Sequence, residues 1–243
     1  MPATRNRSAR SAALPTAAER RLRRFIPDAA EPWIVLLAVV GVFVGSWLLS
    51  LQGGGNDATI ALDDHEALLT LGMEGLFALV FVPWLWWRGW RVDALTAPSG
   101  PLDVPRGIVL WFLSYLALGV VFGAVALVNK DIVEPAVKVS LSDAVIVGVS
   151  ILNAVFEEFL WLAYGVTALA KRIGVRRACI ASVVLRTGIH VYEGPLAVLG
   201  VLPIGIVFTA YYARTKRVWP VIVAHALQDA FAFVYLRGAG EHR

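Results

Sequence analysis

The sequence predicts an all-α fold, a polytopic membrane bundle of about seven transmembrane helices. Three observations point there. Of 243 residues, 58% are hydrophobic and only 16% charged, whereas a soluble domain is apolar to about 45 to 50%. Apolar stretches of about 20 residues, the length that crosses a hydrocarbon core, recur along the chain. Lysines and arginines alternate between the intervening loops in the manner that orients membrane helices.

Seven stretches satisfy the pattern: Trp33 to Leu51, Leu68 to Trp87, Ile108 to Val128, Ala144 to Leu169, Cys179 to His190, Leu196 to Tyr212 and Trp219 to Leu236. The fifth is short. It either continues past His190 or stops at a buried turn of Glu193, Gly194 and Pro195, which is tolerated at membrane depth only under protein cover. An eighth, re-entrant segment is the alternative count. Residues 1–32 form a basic segment whose Ala, Ser and Pro content predicts disorder. Residues 33–141 hold three accessory helices, 142–236 a distinct helical core, and 237–243 a tail.

Seven arginines precede the first span, and the next loop, Gln52 to Ala67, has four acids and no basic residue. The N-terminus is therefore expected in the cytoplasm. Continuing the alternation puts 17 of the 22 basic residues inside and the C-terminus outside. The first apolar run, at 19 residues, is longer than a signal-peptide core and has no small-residue cleavage pattern after it, so it reads as a retained anchor. Its arginines then fix topology and touch anionic lipid, which makes membrane lipids the partners expected of the basic arm and nucleic acid not one. A single cysteine, Cys179, excludes a disulfide framework and a cysteine-based zinc site. It reads as packing.

Glu157 and Glu158 interrupt the fourth apolar stretch. An ionisable group at a bilayer centre costs about 2.5 to 3.5 kcal/mol on the lenient insertion scale. Neighbouring helix residues point about 100° apart, so one carboxylate is free to meet a reacting water while the other holds a neighbouring helix. A structural pair of glutamates between helices is the plainer explanation. Further polar residues weigh against it: His190 with Arg186 one turn before it, and His225 with Asp229 at i and i+4 on one face of the last span. Arg186 in hydrocarbon needs a partner, for which either glutamate serves. Each histidine alone is explained by a hydrogen bond between helices, but three spans contributing such groups favour a functional cluster. His65, among acids in a loop, and His242, in the tail, read as solvated.

Glu157-Glu158 on one helix, His190 on the next and His225-Ala-Leu-Gln-Asp229 on the last resemble the motifs of the CPBP intramembrane proteases. That group contains the CAAX-processing Ras-converting endopeptidase and bacteriocin-processing or immunity proteins. The stretch Arg186-Thr-Gly-Ile-His190-Val-Tyr-Glu-Gly is similar to a bacterial branch. The resemblance spans about Ser142 to Leu236 and implies an integral protein of a bacterial plasma membrane. By position, Glu157 matches the glutamate that activates the attacking water, His190 its partner and Glu158 a supporting glutamate. His225 and Asp229 match a pair that either binds metal or stabilises the oxyanion. The resemblance thus implies a catalytic set of Glu157, Glu158, His190, His225 and Asp229, with Arg186 in support. Zn²⁺ held by Glu157, His190, His225 and Asp229 is compatible with it but not required. One position departs: the motif's arginine, five residues after the first glutamate, is Leu162 here.

The reaction so implied is hydrolysis of a peptide bond of a membrane-associated or lipidated protein, or of a leader peptide, without a covalent intermediate. Two other classes compete. A scaffold of the same fold, serving immunity or secretion, is favoured by Leu162. A proton-coupled transporter also buries such residues, but it commonly has related halves, whereas here the unusual residues of this set lie in the C-terminal third.

Overall fold

The computed structural model describes residues 27–52, 60–128 and 137–241. Most of the basic N-terminal segment, residues 1–26, lies outside them, as does His242, so neither the expected disorder nor its solvation is addressed. Helix α1 (Glu31–Gln52) begins inside that segment. There follow strand β1 (Ile60–Asp63), α2 (Asp64–Trp87), a single turn α3 (Val92–Leu95), α4 (Asp103–Val128) and strand β2 (Val137–Ser140). Helix α5 (Asp143–Glu158) passes through a π-helical stretch, Phe159–Val166, into α6 (Thr167–Ile173). Last come α7 (Val175–Gly188), a 3₁₀ turn Val191–Glu193, α8 (Pro195–Thr215) and α9 (Trp219–Glu241).

Five of these helical units are long and apolar enough to cross a bilayer: α2, α4, the continuous α5–α6 unit Asp143–Ile173, α8 and α9. Their outer faces require a hydrocarbon solvent. Leu79 of α2 and Leu116 and Val120 of α4 are more than half exposed, and an aqueous surface does not carry such continuous apolar area. One of the seven expected spans falls short, whereas α1, at 22 residues, is as long as a crossing requires. Helix α7 has 14 residues, about 21 Å at 1.5 Å per residue, against a core of about 30 Å. It ends at Gly188, and the residues expected as a turn, Glu193 to Pro195, do turn: Gly194 adopts φ 101° and Pro195 opens α8 at its first position.

The small parallel sheet was not expected. Ile60 pairs with Val137 and Asp63 with Ser140, closing one end of the bundle. Asp63 caps α2 by accepting a hydrogen bond from the Glu66 amide at 3.0 Å, so Asp64 to Ala67 are helix, not loop, and His65 stands exposed in the first turn. At the same end Arg237 of α9 donates to the Leu141 carbonyl and pairs with Asp143, both at 2.8 Å. The expected tail is thus partly helix.

The opposite end is tied by two polar clasps. Glu31 accepts from the Arg88 guanidinium, from Trp90 Nε1 at 2.5 Å and from the Tyr164 hydroxyl at 3.2 Å, joining α1, α2 and the π stretch. The Ala97 amide donates to the Lys216 carbonyl at 2.7 Å, and the Val218 amide to Thr96 Oγ at 3.0 Å. That second clasp sets the start of α9. Between the ends runs an apolar core containing Trp161, Leu162, Phe208, Tyr212 and Val221, with Cys179 packed against it as expected.

Candidate active site

The polar residues of three helices meet inside this core. Glu157 and Glu158 close α5, Arg186 lies in the last turn of α7, and His225 and Asp229 share a face of α9. Immediately after the glutamates the chain switches to π geometry over Phe159–Val166. Such insertions are rare and concentrate at functional sites, because the extra residue per turn re-aims the side chains beside it. Ser182 of α7 donates to the Trp161 carbonyl at 2.7 Å, holding α7 against the π stretch. Gly165 suits the π stretch itself, where a Cβ would lie 2.9 Å from the Leu160 carbonyl of the preceding turn.

Arg186 is 3% exposed and Glu158 is 0% exposed. Arg186 donates to both Glu158 oxygens, at 2.5 and 3.1 Å, and Nη2 is also 3.4 Å from Glu157. A guanidinium forked across a carboxylate is the strongest pairing available to a buried acid. His225 Nδ1 lies 2.6 Å from Glu158 Oε1, so this nitrogen carries the proton and donates to the carboxylate. Its Nε2 faces Asp229 at 3.5 Å, beyond a normal hydrogen bond, while Asn153 of α5 donates to the other Asp229 oxygen at 3.1 Å. Phe208 covers the cluster, with its ring centroid 5.7 Å from the Arg186 guanidinium carbon.

The two glutamates therefore differ. Glu158 is fully engaged by Arg186 and His225, whereas Glu157, 7% exposed, has one long ion pair and no hydrogen bond among the described residues. His190 stands apart from this network. It opens the 3₁₀ turn after α7, is bonded to Glu193 at 2.8 Å and remains part-exposed, close enough for the Glu157 and Arg186 charges to act on it. The structure thus gathers Glu157, Glu158, Arg186, His225 and Asp229 and leaves His190 at their margin.

Leu162, at the position of the motif arginine, is completely buried in the apolar core. The cation meeting both glutamates comes from α7 instead. A metal does not fit the residues as arranged. Among the described residues no three ligand-type side chains gather as a metal site, and a guanidinium already bridges Glu157 and Glu158.

Sequence reasoning missed two members of the site. Asn153 orients Asp229, and nothing in an apolar helix singles out one asparagine. Glu74 of α2 is 4% exposed, and the charges of Glu157, Asp229 and His225 act on it. Its signal was present: it is the one acid within the apolar part of its span, the same anomaly that marked Glu157.

A membrane helix bundle enclosing a carboxylate, histidine and guanidinium cluster defines an integral membrane protein with a polar centre inside its apolar core. Residues 140–231 match the profile of the Rce1-like family, type II CAAX prenyl endopeptidases. This segment, which contains every member of the cluster except Glu74, is what the chain shares with that family. No match was found among curated proteins or solved structures.

Proposed function

We propose that the protein is an intramembrane endopeptidase in which Glu157 activates water for attack on a peptide bond. One observation carries this reading: of two adjacent buried glutamates, Glu158 is saturated and Glu157 is left with free acceptor capacity beside a cation. A carboxylate so placed accepts a proton from water and later returns it to the leaving amine. His190, at the open margin, is the second group on the water. Arg186 supplies donors for the negative charge on the attacked carbonyl oxygen, a role that fixed donors fill without reorganising, and His225 adds one when its Nε2 is also protonated. Asp229, held by Asn153, places a carboxylate 3.5 Å from that nitrogen, and no step requires a metal.

The substrate class is a membrane-associated or lipidated protein, or a leader peptide, cleaved from the cytoplasmic side. Orientation rests on the basic residues of the loops. Arg88, Arg172 and Lys171 gather around Asp28 and Trp90 at the end where α1 begins, and Arg217 and Lys216 tie the same end of α4 and α9. Arg237 lies at the other end, with the sheet. His225 is six residues from Trp219, about 9 Å from the basic end.

The test is cleavage of a peptide library, with and without prenylated cysteine, by protein purified in detergent. Glu157→Gln keeps size and fold and is expected to lower turnover by roughly 10² to 10⁴. Leu162 supports a second reading, a scaffold that does not cut. In that case Glu157→Gln preserves the biological phenotype and Glu158→Gln unfolds the protein.

A further inference from the structure

Helix α2 lies outside the segment shared with the protease family, yet it presents an acid to the site. Leu71, Glu74, Ala78, Phe81 and Leu85 fall at helical spacing on one face, and this face lines a cavity of about 630 Å³. Val39 of α1 and Phe156 and Phe159 of α5 and the π stretch form the facing walls. The cavity is almost wholly apolar. Arg91 also lines it, but beyond the C-terminus of α2, about 20 Å of helix from Glu74.

Glu74 is buried, and its Oε2 has no hydrogen-bond partner among the described residues. An orphaned buried polar atom is costly, and nothing apolar around it removes that cost. A ligand with a donor does. Phe156 and Phe159, which flank Glu157 and Glu158 in the chain, line the same cavity as Glu74, so the cavity lies beside the cluster. A peptide extended for cleavage in hydrocarbon carries N–H groups that neither water nor a neighbouring strand satisfies. Such a chain needs acceptors from the protein.

We propose that Glu74 is a positioning residue that accepts a main-chain N–H of the substrate, while the cavity holds the bulky apolar side chains on that flank of the scissile bond. The assignment rests on the peptidase reading of the cluster. It makes helix α2 part of substrate selection: apolar flanks are taken, and charged ones are excluded by the apolar walls.

The test separates binding from cleavage. A fluorescein-labelled decapeptide rich in Leu and Phe, and versions N-methylated at single backbone positions, are titrated into full-length Glu157→Gln protein in detergent. Adding Glu74→Leu is expected to weaken binding 10- to 100-fold, and Glu74→Gln, which keeps a carbonyl acceptor, to restore it. One N-methyl position should weaken binding to the parent and have no further effect with Glu74→Leu. In the cleaving enzyme, Glu74→Leu should raise KM and leave kcat within about threefold. Equal affinity with and without Glu74, or N-methyl losses that persist with Glu74→Leu, overturns the assignment alone. Melting of Glu74→Leu protein at the parent temperature excludes a folding defect. Absence of cleavage by the unsubstituted protein overturns the peptidase reading, and absence of peptide binding overturns both.

Discussion

Arg186 grips Glu158 with two terminal nitrogens, at 2.5 and 3.1 Å, from a helix too short to cross the membrane. The pair locks α7 to the end of α5 at the depth where α7 stops. It also leaves Glu157 beside the same cation without a hydrogen bond to it.

Breaking that pair from one side should cost more than removing both partners. Arg186→Met strands an uncompensated buried carboxylate and is expected to lower stability by about 3 to 5 kcal/mol, whereas Arg186→Met with Glu158→Leu recovers much of it. Thermal melting in detergent compares the two. Cleavage should stay absent in both, since the double variant restores packing and not the donors. Arg186→Lys, which keeps charge but not the fork, should fall between.

Restoring the family arginine should harm this chain. Leu162 is fully buried among Trp161, Phe208 and Tyr212, and Leu162→Arg places a second cation in that apolar core, where Arg186 already pairs with both glutamates. Reduced yield of folded protein and no gain in cleavage are expected. A rise in activity would show that the cation is needed at position 162.

Helices α4 and α9 touch at Gly107. A Cβ there would lie 2.5 Å from Val223 Cβ and 2.8 Å from the Pro220 carbonyl, and backbone cannot yield as a side-chain tip does. Gly107→Ala is expected to cost about 1 to 3 kcal/mol. Because Val223 is two residues from His225, kcat should fall as well, although Gly107 touches no member of the cluster. A drop in melting temperature with unchanged kcat would mean that α9 moves as a rigid unit.

Chelation should leave cleavage intact. With Arg186 occupying the space between Glu157 and Glu158, peptide hydrolysis after dialysis against EDTA or 1,10-phenanthroline is expected to match the untreated rate. Loss of activity restored by Zn²⁺ would require Arg186 to move and the donors to regroup around the metal.

Much of the bundle was legible because hydrocarbon imposes a one-dimensional rule. A span must be about 20 residues long and apolar, and any ionisable residue within one is anomalous. That rule marked Glu157, Glu158, His225 and Asp229 before any coordinate. It applied equally to Glu74, but the motif drew attention to the C-terminal core. It failed at α7, where hydropathy alone does not distinguish a crossing from a helix that enters and stops. The β1–β2 pairing was hidden for another reason: its four-residue strands are separated in the chain by the whole of α2, α3 and α4, and only the packing of α2, α5 and α9 brings their ends together.

From the amino-acid sequence alone it follows that this chain lives in a membrane, which residues are out of place there, and that residues 140–231 are similar to the Rce1-like family. Composition and spacing are sufficient for that, because the solvent penalty acts on each residue separately. The tertiary structure decided how those residues divide the work. Glu157 and Glu158 are neighbours in sequence and alike in chemistry; one is saturated and the other free only because Arg186 and His225 approach from two other helices. Glu74 enters in the same way, from a helix the motif does not include, through the packing of α2 against α5. Partnership between side chains depends on distance in three dimensions, and no local pattern encodes it.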